Sequence, residues 1–248
     1  MAKDYILTLK NITKEFPGVK ALNNVTISVE RGTIHGLVGE NGAGKSTLIK
    51  VLAGIYQPNK GEVILDGKVQ KFPTPIAARN AGIAVVHQEI KLAEPLTVAE
   101  NMFLGNVMMK GKIVDWAGMR KRAQEIVDDL GMDIDINAVV STPTVAKKQI
   151  VEIMHAINTN SKVLIMDEPS SALDPVAEYN LNRSILDHTA DKTVIFISHR
   201  LSTTRIADRI YMFDTGRLVE SGSHEELLDT CPVYREIHES QFKGGEAQ

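Results

Sequence analysis

The chain has 248 residues, 43% of them apolar and 24% charged, with a formal charge of -3 and one cysteine. These are the proportions of an ordinary globular protein with one large α/β domain or two small ones, and the mildly acidic balance argues against a nucleic-acid partner. No apolar run approaches the ~20 residues of a membrane span, residues 1–14 lack a signal peptide's apolar core, and lone Cys231 leaves no internal disulfide, so a soluble, cytosolic chain is expected.

From the N-terminus, Ile6 to Lys10 and Val25 to Val29 alternate apolar and polar residues, the pattern of half-buried strands. Ile34 to Val38 reads as a short apolar strand, and Gly39-Glu40-Asn41-Gly42-Ala43-Gly44-Lys45-Ser46-Thr47 follows it directly. That run fits the phosphate-cradling pattern G-x-x-x-x-G-K-[ST], and the next residues, Ser46 to Ala53, read as a helix. Glycines let successive N–H groups point into one concavity, and the helix adds the positive end of its dipole. Lys45 then reaches the outer phosphates and the Ser46 hydroxyl ligates Mg²⁺.

Glu62 to Leu65 alternates again, whereas Ile83 to Val86 is continuously apolar, as strands covered on both faces are. Between about Glu94 and Asn158 the pattern turns helical. Thr97-Val98-Ala99-Glu100 is a capping box, and Asp115 caps a second helix that Gly131 ends. On that helix Trp116, Met119, Ala123, Ile126, Val127 and Leu130 share one face, which places Trp116 in the core. Val163 to Met166 and Val194 to Ile197 are again continuous apolar runs. The first ends in Asp167-Glu168, and carboxylates at the C-terminal edge of a parallel strand stand where ligands bind in open α/β sheets. Asp167 suits Mg²⁺, and Glu168 suits taking a proton from an attacking water. Cys231 is read as a spare thiol in a turn before Pro232.

The expected fold is α/β: a P-loop NTPase core with a mainly parallel sheet, an N-terminal antiparallel β subdomain and a helical insert. One domain spans 1–248, with about 1–93 and 160–248 as core and β subdomain and about 94–159 as the helical part.

With these motifs in this order, the chain resembles the nucleotide-binding subunits of ABC transporters. The resemblance implies ATP and Mg²⁺ as ligands and adds further residues. Phe16, before the P-loop, resembles the aromatic that stacks on adenine, although a lone Phe is otherwise core. Gln88, after the Ile83 to Val86 strand, resembles the glutamine that touches Mg²⁺ and relays its state to a membrane subunit. Asp174, in Ser171-Ala172-Leu173-Asp174, resembles the loop that crosses a dimer interface, and His199 resembles the switch histidine at the γ-phosphate. The family signature, usually Leu-Ser-Gly-Gly-Gln, falls on Pro143-Thr144-Val145-Ala146-Lys147. There Thr144 keeps a hydroxyl, Ala146 takes a glycine place, and a helix opening at Val145 offers its N-terminal N–H groups.

Within the family, residues 12–157 resemble importers of ribose, galactose or xylose type. Segments from Met166 onward, such as Ser198-His199-Arg200-Leu201, resemble exporter domains, which suggests a chimera joined near Asn158 to Met166. The resemblance implies an ATPase that powers an ABC transporter of sugar-importer type by head-to-tail closure of two subunits around two Mg-ATP. Its partners are a second copy and an integral permease, with no insertion of its own into the membrane and a place at the cytoplasmic side of the inner membrane. The alternatives are a nucleotide-binding chimeric scaffold with little turnover and a soluble non-transport ABC ATPase; no second P-loop or sustained heptads favour the latter.

Overall fold

The computed structural model describes residues 4–87, 90–142, 144–167, 183, 185, 189, 192–197 and 205–243. In chain order it opens with β1 (Tyr5–Phe16), β2 (Val19–Glu30), β3 (Ile34–Val38), α1 (Lys45–Leu52), β4 (Lys60–Leu65), β5 (Lys68–Gln70), α2 (Pro75–Ala81) and β6 (Ile83–Val86). A helical stretch follows: α3 (Val98–Met102), the hairpin β7 (Met109–Lys110) and β8 (Ile113–Val114), α4 (Trp116–Asp129) and α5 (Val145–Ile157). Then come β9 (Val163–Asp167), β10 (Thr193–Ile197), β11 (Arg209–Asp214), β12 (Arg217–Gly222), α6 (His224–Thr230) and α7 (Pro232–Lys243).

Two larger sheets are present, as the two kinds of strand pattern predict. The alternating strands form an antiparallel sheet in the order β2-β1-β4-β5. The continuous apolar strands join a six-stranded sheet in the order β12-β11-β3-β10-β9-β6, parallel from β11 to β6, with β12 antiparallel at the edge. Successive side chains of a strand point to opposite faces, and both faces of this sheet are covered. Leu164, Met166, Val194, Phe196, Ile210 and Met212 face one apolar core, shared with α3, α4 and α5. Val163, Ile165, Ile195, Ile197, Tyr211 and Phe213 face the other, shared with α1 and the antiparallel sheet. Each such fully buried aliphatic side chain contributes about 1.5–3 kcal/mol. The continuous apolar runs are therefore the sequence trace of a sheet sandwiched between two cores.

The caps follow the sequence. Thr97 and Glu100 form the reciprocal capping box of α3, and the Asp115 carboxylate accepts from Gly118 N at 2.9 Å to start α4. Gly131, at φ 63, follows the last turn of α4. Trp116 departs from expectation: it is 47% exposed, not core. Helical side chains lean toward the N-terminus, so at the first position of α4 the indole passes beyond the packed face that begins at Met119. Cys231 does sit in the turn before Pro232, fully buried in the core shared with α6 and α7. No helix among the described residues is long and apolar enough to cross a membrane.

Candidate active site

The registers of the parallel sheet bring the two chemical motifs to one edge. Leu37 lies opposite Ile197, and Ile197 lies opposite Asp167, so β3 and β9 flank β10 and end level with it. The glycine loop leaves the end of β3, and Asp167 closes β9, two strands away across β10 on the same C-terminal edge. Val86, at the end of β6, lies opposite Met166, so His87 follows at this edge too.

The loop itself is built from backbone. Gly39, Gly42 and Gly44 have φ of 149°, 85° and 104°, conformations that glycine adopts without steric cost. A Cβ on Gly39 would stand 2.2 Å from the Phe213 carbonyl oxygen, and one on Gly44 would stand 2.7 Å from that of Ala21. Gly44 is the left-handed N-cap of α1 and, being glycine, supplies no side-chain cap to the first N–H groups of the helix. Gly39, Ala43, Gly44 and Lys45 are buried, while Glu40, Asn41, Gly42 and Ser46 are exposed and Thr47 is half-buried. A buried glycine wall with an exposed rim, turned toward a helix start, suits a polyphosphate. The Lys45 ammonium is 2.6 Å from the Gly39 oxygen and 2.9 Å from the Glu40 oxygen, folded over the loop within reach of whatever the loop holds.

A second wall was not legible in the motif. Thr215 and Gly216, at φ 44° and 76°, make the tight turn between β11 and β12, and Gly216 N donates to Ala43 O at 3.0 Å. The Asn23 N–H donates in turn to Gly216 O at 2.8 Å, tying the loop to the antiparallel sheet. The signal was Gly216 alone: a hairpin turn with two positive φ angles favours Asn, Asp or Gly at both places, and β-branched Thr215 is an unusual occupant of the first.

Phe16, at the end of β1, is half-buried and meets Tyr56 edge-on, with ring centroids 5.1 Å apart at 72°. The Lys14 ammonium lies over both rings, at 5.1 and 5.7 Å, and that of Lys50 lies 5.7 Å from Tyr56. Tyr56 therefore joins Phe16 in one aromatic and cationic cluster, a pairing with no local sequence signal because 40 positions separate the two rings. Thr144 is the exposed N-cap of α5, its hydroxyl accepting from Lys147 N at 3.4 Å, which leaves the hydroxyl proton to donate. Ala146 is half-buried in the first turn. Asp167 is half-buried at the sheet edge. Gln88, Pro143, Glu168, Asp174 and His199 lie outside the described residues.

Beside β6, a cleft of about 340 Å³ runs between the sheet and the helical stretch, lined among others by Arg79, His87, Lys91, Leu104, Glu152 and His155. Burial pushes the Glu152 carboxyl up, against the Lys91 N–H that it accepts.

The family model described as ABC transporter matches residues 22–171. The xylose import ATP-binding protein XylG of Geobacillus kaustophilus (strain HTA426) is 42% identical over 245 residues, covering 96% of this chain and 49% of that protein. A putative ribose/galactose/methyl galactoside import ATP-binding protein of Hahella chejuensis is 44% identical, over 89% of this chain and 43% of that one. The chain thus spans about half the length of the curated relatives it matches. Among solved structures, a nucleotide-free ATP-binding cassette from an ABC transporter superposes with TM-score 0.81 at 28% identity, covering 94% of this chain and 98% of that one. A bacterial Atm1-family ABC exporter with ATP bound gives TM-score 0.80 at 26% identity, over 97% of this chain and 43% of that one. Likeness to the sugar-import proteins runs across 96% of this chain, through the join suggested by sequence, and gives a chimera no support.

Proposed function

We infer the function from one premise: the chain belongs to the ABC transporter family, whose model covers residues 22–171. It is the ATP-binding and ATP-hydrolysing part of a sugar-import transporter; ATP binding and sugar import are what the names of its relatives carry. The observation that supports this most is the level ending of β3 and β9 on either side of β10, which sets the glycine loop and Asp167 on one sheet edge.

On this reading the 39–47 loop holds the phosphates, Lys45 turns from the Gly39 and Glu40 oxygens to phosphate oxygens, and Phe16 faces adenine. Ser46, Gln88 and Asp167 would hold Mg²⁺, which when bound neutralises charge on the phosphates. Glu168 accepts the proton of the attacking water, and His199 orients the water at the γ-phosphate. The Thr144 hydroxyl and the start of α5 face the nucleotide of a second copy, with Ala146 in that helix turn and Asp174 crossing between the copies. The whole chain then acts as one ATPase domain, in which about 94–159 form a helical subdomain. The cleft lined by His87 and Lys91 receives a permease, which keeps the chain at the cytoplasmic face of the membrane.

Positioning and charge neutralisation supply most of the rate in phosphoryl transfer, and a general base adds about 10²–10⁴-fold. The test is Glu168→Gln: Mg-ATP turnover falls by about 10²–10⁴-fold while calorimetric ATP affinity stays unchanged. Unchanged turnover removes Glu168 from the role, and no ATP uptake by the unsubstituted chain overturns the reading as a whole.

A further inference from the structure

Every residue from Leu104 to Ile113 is exposed, an unusual run for a segment so rich in bulky apolar residues. Leu104, Val107, Met108, Met109, Ile113 and Trp116 are 38% to 74% exposed. Single exposed apolar residues need no explanation, but a cluster of six marks a surface that meets something other than water.

Geometry shows which way the cluster points. β7 and β8 pair Met109 with Val114 and Lys110 with Ile113, and Asp115 N closes the base of the hairpin on Met108 O at 2.9 Å. The pair forms its own two-stranded sheet, joined to neither large sheet. Val114 packs against the core and its pair Met109 shares that face, so alternation turns Ile113 and Lys110 to the outer face together.

Charge narrows the partner. Between Leu104 and Trp116 a chain of net charge -3 carries Lys110 and Lys112 and a single carboxylate, Asp115. The one carboxylate, Asp115, is turned onto the start of α4, where it accepts from Gly118 N. A surface of Trp, Met and Ile interleaved with lysines matches the boundary between acyl chains and anionic headgroups, where aromatic and aliphatic groups enter the apolar layer and lysines meet phosphates. Protein interfaces, by contrast, are depleted of lysine.

We propose that the hairpin between Leu104 and Trp116 is a membrane-contact element that seats on anionic lipid headgroups. It lies on the bilayer surface and spans nothing. This contact goes beyond the transport reading: Leu104 borders the cleft assigned above to a permease, whereas Val107 to Trp116 lie outside that cleft's lining.

Trp116 is the only tryptophan, so its emission reports on this hairpin alone. The purified full chain is mixed with phosphatidylcholine vesicles, with and without phosphatidylglycerol, at low salt. With phosphatidylglycerol, Trp116 emission shifts to the blue and the protein floats with the vesicles; with phosphatidylcholine alone it does neither. The double substitution Lys110→Ala and Lys112→Ala weakens partition on the order of 20-fold, since each lysine near an anionic surface is worth about fivefold. Ile113→Ser weakens it as well, and both variants keep the unsubstituted rate of ATP turnover, which is followed in parallel so that loss of lipid binding and loss of the ATPase reading are told apart. No response to phosphatidylglycerol, equal partition into neutral vesicles, or variants that partition like the unsubstituted chain would each overturn the proposal. So would a Trp116 shift produced by a lipid-free permease and not by vesicles, which assigns the hairpin to protein docking.

Discussion

A methyl group added to the glycine loop meets a different neighbour at each position. At Gly39 it would overlap the Phe213 carbonyl, whereas at Gly42 nothing lies within 4 Å and only the φ of 85° resists it. Gly42→Ala should therefore lower unfolding free energy by about 1–2 kcal/mol, the cost of a left-handed L-residue. Gly39→Ala should exceed that, because β11 must also move; equal midpoints in urea for the two variants would discount the overlap. His35 sets a pH response. It is 1% exposed, stacked on Tyr211, and burial pushes its pKa down to about 4. Thr33 Oγ1 donates to Glu30 O, so His35 Nε2 must be the donor to Thr33, and a second proton would fall on the buried, unpartnered Nδ1. The unfolded imidazole takes its proton near pH 6.5, so the unfolded state binds more protons below that. Stability from this residue is present above pH 6.5 and falls by roughly 3 kcal/mol as pH drops to 4. Denaturation midpoints between pH 7 and 4.5 should slope less in His35→Asn than in the unsubstituted chain. Asp66, held down to about 2 by hydrogen bonds from Lys162 and Arg31, acts only at lower pH, its contribution fading below about 3.8.

Among the elements, α3 shows how a piece too short to be helical alone is kept in place. Five residues do not nucleate a helix in water, so its backbone relies on neighbours: Val98 N and Ala99 N donate to Ala138 and Ile136 oxygens, and the Asn101 amide donates to the Ala93 and Thr97 oxygens. Thr97→Ala removes the cap and should lower stability by about 1 kcal/mol, a fall of about 2–4 °C in thermal midpoint for a chain of this size. A midpoint unchanged by the substitution would show that these tertiary bonds hold α3 without its cap. Thr97-x-x-Glu100 was legible because both partners sit within four residues, and β6, β9 and β10 were legible because sandwiched strands must be apolar on both faces. The β7–β8 hairpin was not: two-residue strands have no period to read. α2 and the β4–β5 turn went unpredicted: Thr74-Pro75, an N-cap before proline, and Asp66-Gly67 are their only local marks, and neither adjoins an apolar stripe long enough to assign an element. Trp116 misled because spacing alone assigns it to a face whose packing starts one turn later.

For the molecule as a whole, the sheet edge was legible and its far wall was not. Nine consecutive residues announce the phosphate loop, whereas the Gly216 clasp and the Tyr56 ring come from distant segments that only folding brings near. If two copies close around the nucleotides, turnover at dilute protein should rise with the square of protein concentration; a strictly linear rise in steady-state phosphate release would show that one copy suffices. The clasp between Gly216 and Ala43 carries a further consequence. A fragment stopped after residue 171, where the family model ends, would spell out the complete glycine motif yet lack both the β11–β12 turn and β10, the strand that joins β3 to β9. Such a truncation should bind ATP poorly, and during synthesis the pocket should ripen only once the ribosome has released the β11–β12 turn.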